Sequence, residues 1–214
     1  MSSLKILITT LILLLSSIAN AKEKIKFSLD WKFEGPSAIF LTSKERGYYK
    51  SSGLDVTIDS GKGSRDAIPK VASGTYPLGF ADINSVIKFI DQNPSAKVKA
   101  IMMVYDKPPF AIIGRKSLGV VKPKDLEGKI LGAPAPDGAY AQWKSFVKAN
   151  DIIANKVKIE NVGFPVREPM LASGKVDAIT GYSFSSYINL ASKGVSEDDI
   201  TLMLMSDYGL KLYG

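Results

Sequence analysis

The 214-residue chain contains no cysteine and no histidine. Without cysteine there is no disulfide framework and no thiol nucleophile, so a domain of this size relies on its apolar core for stability. Without histidine, the commonest general base, the Ser-His-Asp triad and the usual zinc and iron ligands are all excluded. No metal and no cofactor are therefore expected. The net charge is +7, but the cations are scattered singly over polar stretches (Lys44, Arg46, Lys50, Lys144, Lys148, Lys193). No arginine-rich run or basic–aromatic interleave marks a nucleic-acid partner. Long apolar runs are scarce too. The one at residues 6–15 lies between Lys5 and Ala19-Asn20-Ala21, the pattern of a secretory signal peptide over residues 1–21, cleaved after Ala21. An uncleaved anchor is the rival reading, and the Ala-x-Ala site argues against it. No later stretch is apolar and long enough to cross a bilayer, so an exported soluble chain starting at Lys22 is expected.

What the chain does have is an echo at a spacing of one hundred residues. Pro169-Met170-Leu171-Ala172-Ser173-Gly174-Lys175-Val176-Asp177-Ala178-Ile179 repeats the plan of Pro69-Lys70-Val71-Ala72-Ser73-Gly74-Thr75-Tyr76-Pro77-Leu78-Gly79. Each copy reads as a short helix that starts near a proline, ends on a glycine and turns into an apolar strand. A strand precedes each copy and a helix-starting turn follows it, which implies two lobes built from βαβ units on one plan. Two unrelated helix ends are the alternative.

Strands are expected at residues 25–29, 54–58, 78–81 and 98–105 in the first lobe, with helices over 35–45 and from 69 to 74. A further helix is capped by Asp82, with Ile83, Val86, Ile87 and Ile90 on one face. Ser60-Gly61-Lys62-Gly63-Ser64 is a glycine-rich turn, with Ser64 or Asp66 placed to cap the next helix. The stiff joint Asp106-Lys107-Pro108-Pro109 then changes lobes, Asp106, Pro108 and Pro109 acting as a hinge. In the second lobe strands are expected at 110–114, 130–132, 157–162, 177–180 and 200–205, and helices at 138–149, 169–174 and 184–193. Residues 22–105 form lobe one, 106–205 lobe two, and 206–214 the start of a crossover back to lobe one. Strands alternating with helices at this spacing imply mainly parallel sheets with right-handed crossovers, an α/β fold.

In such sheets ligands bind beyond the carboxyl ends of strands, where helix N-termini point free N–H groups outward. Those positions fall on residues 31–35, 61–64, 82–84, 136–140, 164–168 and 182–183, with Trp31, Ser64, Asp82, Ile83, Asn84, Asp137, Gly138, Ala139, Tyr140, Glu168 and Tyr182 as the candidate ligand contacts. Trp31 is either a stacking surface for a flat ligand or a core residue covering the sheet end. Asp82 and Asp137 are helix caps, or acceptors for amine and ring N–H donors. Glu168 is a first-turn acid favoured by the helix dipole, or a ligand acceptor. The turn at 61–64 lacks the Gly-Lys-Ser/Thr ending of a phosphate loop.

Leu29-Asp30-Trp31 and Arg46-Gly47-Tyr48-Tyr49-Lys50-Ser51-Ser52-Gly53-Leu54-Asp55-Val56 resemble the opening of the type II periplasmic substrate-binding proteins of ABC importers. The similar group includes binders of thiamine-pyrimidine precursors, sulfonates, taurine and nitrate. Residues 124–132 and 171–179 resemble two further segments of that family. The resemblance implies a two-lobed type II fold with a ligand cleft between lobes, and a further stretch returning to lobe one. On that reading the chain reaches Gly214 before the return; the alternative is a natural stop with a small first sheet. It also implies a periplasmic, lipid-free monomer that binds a small solute and delivers it to a membrane permease, not an enzyme. Its pocket positions fall on Trp31, the turn around Ser64, Asp82 to Asn84, Asp137 to Ala139 and Tyr182. Lys32-Phe33-Glu34-Gly35-Pro36 departs from the pyrimidine binders, which carry a proline–asparagine turn and a histidine there. Acidic groups at helix starts would repel a sulfonate or nitrate and suit an amino-bearing nitrogen heterocycle, so that ligand class is expected, with taurine, sulfonate or nitrate as the alternative. A ligand-sensing or partner-docking domain is the rival of another class. The pyrimidine-forming enzymes of this fold depend on histidine and iron.

Overall fold

The computed structural model describes residues 22–212. Two sheets organise the chain. The first begins with β1 (Glu23–Ser28), continues with β2 (Leu54–Asp59) and ends with β3 (Leu78–Gly79), all parallel, in the order β2-β1-β3. A 3-10 turn at Gly35–Ser37 leads into α1 (Ala38–Glu45), then α2 (Tyr48–Ser51), α3 (Ser64–Ala72) and α4 (Ile83–Gln92). Asp82 caps α4 as expected, its carboxylate accepting from the N–H groups of Asn84 and Ser85.

The second sheet contains β4 (Phe110–Arg115), β5 (Ile130–Gly132), β6 (Lys158–Glu160), β7 (Ala178–Tyr182) and β8 (Ile200–Leu204), in the order β6-β5-β7-β4-β8. Its helices are α5 (Gly138–Ala141), α6 (Trp143–Ala149), α7 (Arg167–Ala172) and α8 (Ser183–Ala191). Four of these strands run one way, and β4 runs antiparallel to both neighbours, with Ile112 opposite Thr180 and Met203. Phe110, Ala111, Ile112 and Ile113 are all buried, as a continuous apolar run in an inner strand should be. Phe110 and Ile112 point to a core with Leu126, Leu131 and Phe146; Ala111 and Ile113 point to another with Leu171, Ile179 and Leu190. Each large apolar side chain so buried contributes about 1.5–3 kcal/mol. Residues 206–212 pack back on this lobe, with Leu210 in its core.

The hundred-residue echo is real in three dimensions. The Ser73 and Ser173 N–H groups each donate to the carbonyl of the proline four residues back, at 2.9 and 3.0 Å. Gly74 and Gly174 then take left-handed φ angles of 76° and 71°. β3 and β7 follow and pair in parallel with β1 and β5, so β2-β1-β3 matches β6-β5-β7.

Several expectations are corrected. Pro69 lies inside α3 rather than at its start; helix 138–149 breaks at Gln142, where α5 ends and α6 begins. The α3 cap is Gly63, not Ser64 or Asp66, because the Ser64 hydroxyl is turned toward Asp30. The strand at 78–81 shortens to two residues. Residues 98–105 join no sheet among the described residues: the nearly continuous apolar run from Ala100 to Tyr105 is strand-like in sequence, yet no described strand lies alongside to bond it.

Candidate functional site

The carboxyl ends of β1, β2, β5 and β7 converge where the two lobes meet. There they enclose a cavity of about 20 Å³ lined by Asp30, Trp31, Gly63, Ser64, Asp137, Gly138, Phe164, Arg167, Tyr182 and Ser185. That is room for about one water molecule. Outward, the cleft widens into a groove of about 710 Å³ between the turns at 60–62 and 134–136 and the 161–165 loop.

Lobe one contributes a hydrogen-bonded ladder. The Asp82 N–H donates to Ser64 Oγ at 3.0 Å, and the Ser64 hydroxyl donates to Asp30 Oδ2 at 3.4 Å. The Tyr182 hydroxyl reaches across from lobe two to the same oxygen at 3.0 Å. Burial dominates at Asp30 and raises its carboxyl to about 6 despite the Tyr182 and Ser64 donors. The same burial, with Asp30 alongside, holds the Tyr182 hydroxyl well above its ordinary range.

Lobe two contributes a buried charge cluster. Arg167 Nη2 and Nε donate to Glu168 Oε1 at 2.6 and 3.0 Å, and Ser186 Oγ donates to the same oxygen at 3.0 Å. Arg167 Nη1 lies 3.8 Å from Asp137 Oδ2, which also accepts from Thr180 Oγ1 at 2.6 Å. Burial raises the Asp137 carboxyl in spite of Arg167 and Thr180. The Arg167 guanidinium covers the rings of Trp31 and Phe164 at 5.5 and 5.6 Å. Trp31 is half-buried, set edge-on to Phe164 at 4.3 Å, and its Nε1–H donates to Glu34.

The lobes touch through backbone as well. Gly63, at φ 104°, comes so close that an added Cβ would lie 2.5 Å from the Pro136 carbonyl oxygen. Beside it Arg65 Nη1 donates to the Ala135 carbonyl at 2.8 Å.

Five of the sequence-predicted positions therefore line one cavity: Trp31, Ser64, Asp137, Gly138 and Tyr182. The others are placed around it. Asp82 is buried beneath Ser64, and Gln142 Nε2 lies 3.5 Å from its carboxylate. Asn84 donates to Asp82. Ile83 faces a separate apolar groove. Ala139 is buried in the lobe-two core with Tyr140 packed against it, and Glu168 is taken up by Arg167 and Ser186. In the proposed hinge Asp106 is exposed while Pro108 and Pro109 are buried, and the Ser183 N–H donates to the Pro109 carbonyl.

Sequence reasoning missed Asp30 and Ser185; Gly63, Phe164 and Arg167 stand in the strand-end turns at 61–64 and 164–168 that the sequence marks, without being singled out as ligand contacts. Two signals were present. Asp30 stands at the carboxyl end of β1 beside Trp31. Arg167 opens α7, where the helix dipole disfavours a cation, so something other than helix formation must hold it there.

Residues 36–214 match the family model described as NMT1/THI5 like. The chain belongs to the NMT1/THI5-like family. A formylaminopyrimidine-binding protein from Halalkalibacterium halodurans is 28% identical over 194 residues, which cover 90% of this chain and 57% of the relative. The riboflavin-binding protein RibY of Chloroflexus aurantiacus is 22% identical over 172 residues, 79% of this chain and 48% of that protein. The chain spans about half the length of the curated relatives it matches. Among solved structures, the alkanesulfonate-binding protein SsuA from Xanthomonas axonopodis pv. citri superposes with a TM-score of 0.64 at 14% identity, covering 84% of this chain and 60% of that one. That likeness gives this NMT1/THI5-like chain the fold of a periplasmic binding protein. Among the described residues no helix is long and apolar enough to cross a membrane.

Proposed function

We propose that this protein is an extracytoplasmic solute-binding component of an ABC-type importer. It captures a flat, amino-bearing nitrogen heterocycle between its lobes and delivers it to a membrane permease. The observation that carries this reading is the convergence of Trp31, Asp30, Asp137 and Tyr182 on one interlobe cavity. Nothing in this role requires a reaction, which agrees with a sequence that lacks histidine and cysteine.

The chemistry supports a ligand that donates hydrogen bonds. Three carboxylates (Asp30, Asp137, Glu168) and one guanidinium (Arg167) are buried at the cleft, so the site has an excess of acceptors. An aromatic ring lying on Trp31 and Phe164 would present its amino and ring N–H groups to Asp30 and Asp137. The cavity is far too small for such a ring, so entry requires the lobes to part and the Tyr182–Asp30 bond to open. The printed names of the two relatives, a formylaminopyrimidine binder and a riboflavin binder, both refer to nitrogen heterocycles and support the same class.

A thermal-shift screen with aminopyrimidines, flavins, purines, amino acids, taurine, alkylsulfonates and nitrate tests the proposal. A ligand at one hundred times its dissociation constant adds about 2.7 kcal/mol of stability. A shift with a nitrogen heterocycle is expected. A shift with sulfonate or nitrate alone overturns the ligand class, and no shift with any compound overturns solute capture in favour of sensing or docking.

A further inference from the structure

The outer part of the cleft has a different chemistry from the inner part. The inner cavity is lined by Asp30, Asp137 and Arg167 and by no lysine. The groove of about 710 Å³ outside it is lined by Lys32, Lys62 and Lys70 and by no carboxylate. Lys32 and Lys62 are exposed and form no ion pair among the described residues. Lys70 is paired with Asp66 at 2.6 Å, and the same Asp66 oxygen accepts from the Lys62 backbone N–H at 3.2 Å. Ser60 and Asn161, just past the carboxyl ends of β2 and β6, add exposed uncharged donors to the groove.

Trp31 and Phe164 line both spaces, so a ring stacked on them extends from the acidic interior toward the basic groove. The geometry points to a second subsite in that groove, which takes an anionic substituent of the phosphate class carried by the bound heterocycle. The order of charges fixes the orientation. Amino groups on the ring meet Asp30 and Asp137 inside, and the anionic tail meets the lysines outside; turned around, the tail would face carboxylates. Lysine suits this task, because its ammonium is a compact point charge that binds phosphate without a planar fork. Recognition through the Lys62 side chain also needs no backbone cradle, so the missing Gly-Lys-Ser/Thr ending of the turn at 61–64 is no obstacle. The groove opens outward, and a phosphate seated there keeps part of its hydration, which limits the desolvation that a buried ion would suffer. The inference rests on the heterocycle reading above for the head group and adds the tail to it.

Titration calorimetry with matched pairs tests the subsite: cytidine against its 5′-monophosphate, and riboflavin against its 5′-phosphate, with ribose 5-phosphate as a tail that has no ring system. At low ionic strength the ester of at least one pair should bind about tenfold or more tighter than its parent. That gain should vanish near 1 M salt, where the Debye length is about 3 Å. Lys62→Gln should remove most of the gain and leave affinity for the uncharged parent unchanged, while Lys62→Arg should retain it. Lys62 is the position to change because Lys32 also lies over the Trp31 ring, at 5.5 Å. Lys44→Gln removes the same charge from an exposed position on α1 outside the groove, and should leave the gain intact. Parents that bind with esters no tighter, or a gain lost equally in Lys62→Gln and Lys44→Gln, overturn the subsite and leave the heterocycle reading standing. Ribose 5-phosphate binding as tightly as the esters, and through Lys62, supports the subsite and overturns the heterocycle. No binding of any compound overturns both.

Discussion

At the scale of single residues, the site is governed by what burial does to charge. Asp30 titrates near 6 in the fold and near 3.9 when unfolded. Between those values the native state holds a proton that the unfolded state has lost, so stability falls as pH rises through the window and levels off above it. The loss should be on the order of 2–3 kcal/mol, read from denaturation midpoints between pH 4 and 7. Asp30→Asn should flatten most of that slope; an unchanged slope would assign it elsewhere. Arg167 is the opposite case. Arg167→Met leaves Glu168 and Asp137 buried beside no cation, and should cost about 3–5 kcal/mol. Adding Glu168→Gln should recover part of that loss, because the stranded charge is then removed. At Trp31 the two roles separate: Trp31→Ala should weaken heterocycle binding by about tenfold with little loss of stability, since the ring is only half-buried between the lobes. Equal losses in titration calorimetry and in thermal melts would make Trp31 a structural residue.

At the scale of elements, the echo between residues 69–79 and 169–179 predicts equal behaviour from equivalent positions. Gly74→Ala and Gly174→Ala each place a Cβ on a left-handed residue, at φ 76° and 71°, and each should cost about 1 kcal/mol, checked by urea denaturation. A cost at one site only would mean that the two helix ends are alike in sequence alone. This repeat was legible because glycine and serine at a helix end act locally. So was the Asp82 cap, whose side chain reaches only two and three residues along the chain. What stayed illegible depends on distant partners. The antiparallel setting of β4 is decided by β7 and β8, some seventy to ninety residues later. Residues 98–105 have a strand-like apolar run but no described strand to bond them. Asp30 looks like a surface charge until the second lobe covers it, and Arg167 until Glu168, Ser186 and, from the first lobe, Trp31 surround it. Most of the cavity lining lies in turns found by asking where strands end, but which side chains in those turns face the cavity, and the place of Asp30 and Ser185, needed the lobes to be brought together.

At the scale of the whole molecule, closure rests on a small set of contacts: Tyr182 to Asp30, Gln142 to Asp82, Arg65 to Ala135, Trp31 to Phe164 and Arg167, and the backbone approach of Gly63 to Pro136. Only the last admits no substitute. A Cβ on Gly63 would lie 2.5 Å from a carbonyl oxygen, and that oxygen belongs to backbone and cannot swing aside as a side-chain tip would. The φ of 104° adds backbone strain to the clash. Gly63→Ala should therefore hold the lobes apart, with a larger radius of gyration in small-angle scattering and altered Trp31 fluorescence as the ring leaves Phe164. Arg65→Ala removes one cross-lobe hydrogen bond without inserting bulk, and should leave the closed dimensions unchanged. If Gly63→Ala scatters like the parent while its melting temperature drops, the strain is absorbed within the turn at 61–64 and closure does not depend on this contact. If it scatters as an open form and still binds ligand weakly, opening and binding are separable steps, and the cost of closing the lobes is the difference between its affinity and that of the parent.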